Sequence, residues 1–292
     1  MDEINKAQIH ALPIWQGDID IRPLSGGLTN VNFLVEDTTA KYVVRLGEDI
    51  VEHQIMRFNE LAASRAAHAA GLSPAVIFSQ KGVTVLEYLE CKTFSASDVR
   101  KQETLAKIVP LIRSCHIDIP NYLRGPVLVF WVFHVIRDYA ARIQEYGSKN
   151  ASKSTELVKI GNKLETDAGP FDMVFGHNDL LAENILDDGE RLWLIDWDYA
   201  GYNSPLFDLG GLASNSELSP QQETWLLETY FETPVSDELL HRYHAMKCAS
   251  LLRETLWSMV SEITSKLDVD FVSYTEKNYE RFHQAYENYQ QM

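Results

Sequence analysis

Two apolar runs on either side of an acidic turn constrain this chain more than any other stretch. Residues 175–186 read Phe-Gly-His-Asn-Asp-Leu-Leu-Ala-Glu-Asn-Ile-Leu, and residues 192–199 read Leu-Trp-Leu-Ile-Asp-Trp-Asp-Tyr. Asp187-Asp188-Gly189-Glu190 between them is a turn sequence, so 184–186 and 192–195 are expected to pair as a short β-hairpin. That pairing brings Asn184 and Asp196 close in space, with Asp179 just upstream. The residue types suit one chemistry. A carboxylate such as Asp179 orients a hydroxyl and accepts its proton. An amide and a second carboxylate hold Mg²⁺ against phosphates: Asn184 offers a carbonyl oxygen without adding charge, and Asp196 is the strong anionic ligand. A plain hairpin with polar flanks is the bland alternative, and the two readings are compatible.

The spacing His177-x-Asp179-x-x-x-x-Asn184, followed by a further aspartate, is that of kinase catalytic loops. Upstream, a strand over 19–24 is interrupted by Ser25-Gly26-Gly27-Leu28-Thr29-Asn30 before a strand over 31–36. Adjacent glycines permit a tight turn whose amides approach a phosphate, and Thr29 and Asn30 add hydrogen-bonding groups. A strand over 41–46 carries Arg45, a cation placed to pair with nucleotide phosphates. An alanine-rich helix over 51–71 carries Glu60, the matching partner for Arg45. Strands over 75–78 and 83–88 follow, and Glu87-Tyr88-Leu89-Glu90 leaves the sheet as a connection with backbone groups open to an adenine ring.

Beyond residue 97 the pattern is helical: 98–116, 127–145 and 154–168 before the catalytic stretch, then 220–231, 237–263 and 269–289. His116 and His134 read as core or helix-face residues. Asp208 is placed to tie down the catalytic loop by accepting backbone hydrogen bonds. The expected architecture is α+β and two-lobed. Residues 1–89 form a nucleotide-binding lobe of antiparallel sheet with one helix, and 90–292 a mainly helical lobe with the catalytic hairpin. The cleft between them is the default site.

The formal net charge of −16 argues against a nucleic-acid partner and is compatible with a small cationic substrate. Cys91, Cys115 and Cys248 have no metal-ligand spacing and suit a reducing compartment. The acidic N-terminus lacks an apolar signal region, and the run 127–133 is too short to span a bilayer. The expectation is a cytoplasmic protein without membrane insertion.

Taken together, His177-Asn178-Asp179…Asn184 and Ile195-Asp196-Trp197-Asp198-Tyr199 resemble the choline/ethanolamine kinase branch of the aminoglycoside phosphotransferase-like superfamily, which shares the protein-kinase fold. The likeness extends to Ser25–Asn30 by position, to Tyr42-Val43-Val44-Arg45-Leu46, to Tyr199-Ala200-Gly201-Tyr202-Asn203 with Phe207-Asp208-Leu209-Gly210, and to the late segment 251–258. The resemblance implies ATP-dependent phosphorylation of an alcohol. In it Asp179 is the base, Asn184 and Asp196 are the magnesium ligands, Arg45 contacts phosphate, and His177 is architectural.

For the acceptor, the resemblance implies a cage of aromatic faces and acidic groups around a cationic head, where cation–π attraction replaces hydration. Trp257, Tyr274 and Asp198 fall at or near such positions. The chain departs from the family pattern at Asp198, where glutamate is usual, at Val260, where a second tryptophan is often found, and at Asn215, where an acidic residue is common. The thinner cage leaves room for choline, ethanolamine, thiamine or another amino alcohol. Trp257 and Tyr274 have a second reading as core or dimer contacts, so a homodimer stays open. Thiamine or aminoglycoside phosphorylation is the alternative activity, and a catalytically silent nucleotide-binding regulator is the alternative of another class. The absence of Asp-Phe-Gly and Ala-Pro-Glu signatures disfavours a protein kinase.

Overall fold

The computed structural model describes residues 3–24 and 30–292. A short helix, α1 (Glu3–His10), precedes strands β1 (Asp20–Leu24), β2 (Val31–Glu36) and β3 (Lys41–Leu46). Helix α2 (Arg57–Ala69) follows, then β4 (Val76–Gln80) and β5 (Val83–Glu87). The strands form one antiparallel sheet in the order β1-β2-β3-β5-β4. Side chains alternate across each strand. In β3 this puts Val44 and Leu46 on one face with Phe33, Val35, Val83 and Val85, closed over by Ile9 and Leu12. Arg45 must point to the opposite face, where it is also buried. Its position is a consequence of strand register, with Asn32 and Thr84 as its cross-strand neighbours.

Helix α2 starts later than its sequence pattern, at Arg57. Residues 51–53 form a 3-10 turn, Ile50 bridges Ile55, and Gln54 between them is left-handed. Ala63, Ala66 and Ala67 are its small buried face and let it lie close to the 3-10 segment Ile119–Tyr122. That face joins the larger core of the helical part, not the core of the sheet. The helix ends in a Schellman motif: Gly71 N–H bonds His68 O and Leu72 N–H bonds Ala67 O. Gly71 has φ of 78°, a conformation strained for any other residue type placed there.

The rest of the chain is mostly helical. It comprises β6 (Lys92–Thr93), α3 (Ala96–Val99), α4 (Gln102–Asp118), α5 (Val132–Glu145), α6 (Ala151–Ala168), β7 (Val174–Gly176), β8 (Ile185–Asp187), β9 (Leu192–Leu194) and β10 (Gly201–Asn203). Helices α7 (Pro205–Ser216), α8 (Pro220–Phe231), α9 (Asp237–Thr264) and α10 (Phe271–Gln290) complete it. The expected α+β class is therefore what the chain adopts. The hairpin β8–β9 forms as its turn sequence requires, and β6 adds a third strand that its two residues did not announce. The helix expected from residue 127 begins only at Val132. Leu128 O and Phe130 N are instead hydrogen-bonded to Tyr202, at 3.0 and 2.9 Å.

Helix α9 is 28 residues long and so spans about 42 Å. It packs against α5, α6, α7 and α10. Buried on most sides between Tyr243 and Ser261, it shows no single apolar stripe. Two of its buried hydroxyls are satisfied within the helix: Thr255 Oγ1 donates to Leu251 O at 2.9 Å and Ser258 Oγ to Thr255 O at 2.8 Å. Leu252, Leu256 and Met259 are fully buried, each such side chain contributing about 1.5–3 kcal/mol. That anchorage fixes where Arg253, Glu254 and Trp257 point. No helix among the described residues is long and apolar enough to cross a membrane.

Candidate active site

The loop that carries Asp179 follows β7 and is held almost entirely from beneath. Asp208, at the start of α7, accepts His177 N–H on Oδ2 at 2.8 Å and Asn178 N–H on Oδ1 at 2.7 Å. His116 Nε2 lies 2.9 Å from Asp208 Oδ2, and its Nδ1 lies 2.7 Å from Tyr230 OH. Burial raises the Asp208 carboxyl, but the bond and charge of His116 outweigh it and hold the group below the usual carboxylate range. Asn178 is left-handed, with φ of 63°. The cost is offset because its Nδ2 donates to Tyr199 O and Gly201 O, both at 3.0 Å, while its Oδ1 accepts Asn203 Nδ2. Gly176 is required here: a Cβ would stand 2.8 Å from Asn178 Oδ1 and 3.1 Å from Asp208 Oδ2.

His177 is fully buried, and its Nε2 lies 2.9 Å from Ile195 O, joining the loop to the hairpin strand just before Asp196. Asn184 Nδ2 donates to Asp179 O at 3.0 Å, which directs its amide oxygen as the group left for a cation. Across the hairpin Ile195 N–H bonds Asn184 O at 3.1 Å, so Asn184 and Asp196 flank its open end. Asp196 has φ of 70°, a second left-handed non-glycine residue at this site. Among the described residues no cluster of His, Cys, Asp or Glu forms a closed metal cage. One amide oxygen and one carboxylate fit Mg²⁺, which keeps waters and substrate phosphates in its remaining positions.

Arg45 meets these residues from the sheet. Its Nη2 is 2.8 Å from Asp196 Oδ1 and 3.2 Å from Asp198 Oδ1, and its Nε is 3.2 Å from Glu60 Oε1. The pairing of Arg45 with Glu60 expected from sequence is present. Arg57 was not singled out there, yet its Nη1 bridges Glu60 Oε2 at 2.7 Å and Asp198 Oδ1 at 2.9 Å. The available signal was its position one helical turn before Glu60. Asn30 Nδ2 donates to Asp198 Oδ2 at 3.0 Å. Burial pushes the Asp198 carboxyl up, and the neighbouring Asp196 adds to this. Asp196 is also buried, but Arg45 outweighs burial and holds it down.

Asn30, Arg45, Arg57, Glu60 and Thr84 line a cavity of about 450 Å³ between α2 and the β4–β5 hairpin. Ser25, Gly26, Gly27 and Thr29, the other expected phosphate-loop residues, lie outside the described residues. Glu87 is exposed at the end of β5 with Oε2 accepting Ala75 N–H at 3.3 Å, and Leu89 O accepts Cys91 Sγ at 3.2 Å. Neither lines that cavity.

Asp179 borders a separate, narrow cavity of about 20 Å³, shared with Asn215, Ser250, Arg253 and Glu254. Burial pushes its carboxyl up to about 7, against the pull of Arg253, whose Nη1 is 4.0 Å from Asp179 Oδ1. Asp198 does not line this cavity; it borders another, of about 360 Å³, with Gln54, Asp138 and Arg142. Trp257 is 5% exposed, stacked on His53 at 4.8 Å, and donates from Nε1 to Tyr199 OH at 2.8 Å. Tyr274 stands edge-on to it at 6.3 Å and donates to Glu254 Oε1 at 2.8 Å. Val260 is wholly buried in the core. Arg253 and Glu254 escaped the sequence reading, although adjacent opposite charges on so apolar a helix were the signal.

The family model for choline/ethanolamine kinase matches residues 21–225. The chain is 28% identical to the probable ethanolamine kinase A of Dictyostelium discoideum, over 92% of this chain and 86% of that protein. A choline/ethanolamine kinase family protein from Mesorhizobium loti superposes with a TM-score of 0.77 at 27% identity, covering 97% of this chain and 94% of that one. The choline kinase LicA of Streptococcus pneumoniae gives 0.74 at 26% identity, covering 97% and 98%. LicA in complex with AMP gives 0.76 at 25%, covering 98% and 99%.

Proposed function

The chain belongs to the choline/ethanolamine kinase family, and on that premise we propose that it transfers the γ-phosphoryl group of ATP to the hydroxyl of choline or a related amino alcohol by direct in-line displacement. That it is a phosphotransferase with an alcohol acceptor follows from the family. The observation that carries the finer reading is the meeting of two elements far apart in sequence. The Asp179–Asn184 loop and the Arg45 strand converge on Asp196: Ile195 N–H, just before it, bonds Asn184 O at 3.1 Å, and Arg45 Nη2 lies 2.8 Å from its Oδ1.

In this reading Asp179 orients the acceptor hydroxyl and takes its proton as the oxygen attacks. Its raised carboxyl makes it a better base near neutral pH than an ordinary aspartate. Arg45, steadied by Glu60, faces the charge that develops on the transferred group. Ser25, Gly26, Gly27, Thr29 and Asn30 cover the phosphates, and the backbone of Glu87 and Leu89 meets the adenine. Magnesium, held by Asn184 and Asp196, would neutralise the phosphates when bound. Trp257, Tyr274 and Asp198 belong to the acceptor side. The proposed cleft divides a lobe of 1–89 from one of 90–292. The free thiols of Cys91, Cys115 and Cys248 support a cytoplasmic setting.

The test is ADP release from Mg-ATP with choline, ethanolamine, thiamine and an aminoglycoside, using Asp179→Asn as the control. Turnover of an amino alcohol that falls by about 10² or more in the control, with Mg-ATP still raising the melting temperature, is the expected result. Near-normal turnover by Asp179→Asn would remove Asp179 as the base. Activity confined to thiamine or the aminoglycoside would replace the acceptor.

A further inference from the structure

We propose that Arg253 and Glu254 select the acceptor, so that the cavity beside Asp179 takes a small alcohol whose ammonium group retains N–H bonds in preference to a quaternary trimethylammonium. The inference rests on the reading of Asp179 as the base. Both residues line that cavity. Arg253 Nη1 stands 2.9 Å from Glu254 Oε2 and 4.0 Å from Asp179 Oδ1. The two carboxylates therefore lie no further apart than those two distances laid end to end. A hydroxyl and an ammonium separated by two carbons can reach both carboxylates with hydrogen bonds of about 2.8 Å, provided that the bonds meet the substrate at an angle and not end to end.

Arg253 itself points to a polar acceptor. It is 4% exposed, its guanidinium lies 4.2 Å over the Tyr199 ring, and its Nε and Nη2 have no hydrogen-bond partner among the described residues. An acceptor hydroxyl that donates to Asp179 still has a lone pair for such a donor. The same guanidinium repels a cationic head, so the head must gain something in return. An N–H-bearing ammonium gains charge-assisted bonds to Glu254, which Tyr274 OH and Arg253 hold in one orientation. A quaternary head makes no such bond and depends on open aromatic faces. Those are scarce here: Trp257 is stacked on His53 and nearly buried, and Tyr274 is tethered by its hydroxyl. At about 20 Å³ the cavity is water-sized as it stands, so it must widen for any of these alcohols, and each methyl group adds to that cost.

The experiment is kcat/KM for ethanolamine, N-methylethanolamine, N,N-dimethylethanolamine, choline and L-serine, in the wild type and in Glu254→Gln. The wild type is expected to lose efficiency along the methyl series. The step to choline, which removes the last N–H, should cost at least about tenfold. In Glu254→Gln the ratio of ethanolamine to choline should fall to within about threefold, because an amide acceptor without charge discriminates weakly. Choline turned over as well as ethanolamine, or an unchanged ratio in the variant, would overturn the proposal. Preference for L-serine would also overturn it, since Arg253 would then be serving a substrate carboxylate. The wild-type series needs no variant and decides the matter if Glu254→Gln does not fold. Activity without the expected order, lost in Asp179→Asn, defeats this inference alone. Silence on every alcohol removes the kinase acceptor reading beneath it and this inference together.

Discussion

The loop around Asp179 and the wall of α9 that faces it are built by different means. The loop is fixed by backbone groups: two amides on Asp208, two carbonyls on the Asn178 side chain and one on His177, all with buried partners except the half-buried Ile195. The wall is made of side chains bonded to one another, Arg253 to Glu254 and Glu254 to Tyr274, with Glu254 about a quarter exposed. Backbone anchorage leaves Asp179 one position, because moving it strands several buried donors at once. A side-chain wall can exchange one residue without unravelling its support. On the proposed reading, the difference means that the transfer chemistry is set by architecture and the acceptor by a few exchangeable groups.

The sharpest way to break this comparison is Asp208→Asn. An amide in place of the carboxylate cannot accept from His177 N–H, Asn178 N–H and His116 together, so at least one buried donor faces an NH₂ group. The expected cost is about 3 kcal/mol, a fall in melting temperature of roughly 5 °C for a chain of this size. Turnover should fall with it, because the loop loses its register. Thermal melts and ADP release measured side by side check this. A variant that melts within a degree of the wild type would show that Asp208 does not hold the loop.

How far the sequence could be read follows the same divide. Asp179, Asn184 and Asp196 lie at short, fixed spacings, and the structure brings them to one end of the β8–β9 hairpin. Arg45 and Glu60 come from different elements, and it is the kinase arrangement, a helix glutamate beside a strand cation, that pairs them in the sequence; the structure shows them 3.2 Å apart. Arg57 and Arg253 were missed because their partners, Asp198 and Asp179, lie more than seventy residues away in sequence, and only tertiary packing joins them. The late start of α5 has a cause of the same kind. Residues 127–131 are apolar enough for a helix, but the open edge of Gly201–Asn203 takes them as extended chain. Sequence periodicity cannot see that competitor.

A smaller effect separates burial from anchorage at the base itself. Burial pushes the Asp179 carboxyl up to about 7 from its ordinary 3.8. Between about pH 4 and 7 the folded chain thus binds a proton that the unfolded chain has released, so this group's contribution makes stability fall as pH rises through that window. Asp179→Asn removes the penalty. In metal-free buffer it should melt about 5 °C above the wild type at pH 8 and close to it at pH 4. Equal melting at both pH values would mean that Arg253, at 4.0 Å, offsets the burial in full.

The smallest expected effect lies in the wall. Tyr274→Phe deletes one hydroxyl and leaves the ring edge against Trp257. Glu254 loses the bond at Oε1 but keeps Arg253 at Oε2, so no carboxylate is left without a partner. One hydrogen bond at a half-buried site is worth about 1 kcal/mol, which corresponds to roughly a fivefold rise in KM for the amino alcohol. kcat should stay near wild type, because the loop does not touch that hydroxyl, and the melting temperature should fall by no more than a few degrees, since the buried Asn278 is its one other polar neighbour among the described residues. Steady-state kinetics with the preferred amino alcohol resolve the two constants. A fall in kcat with KM unchanged would mean that Tyr274 acts on the base through Glu254 and Arg253. The wall and the loop would then be one coupled unit, and the contrast between a fixed chemistry and an exchangeable acceptor site would fail.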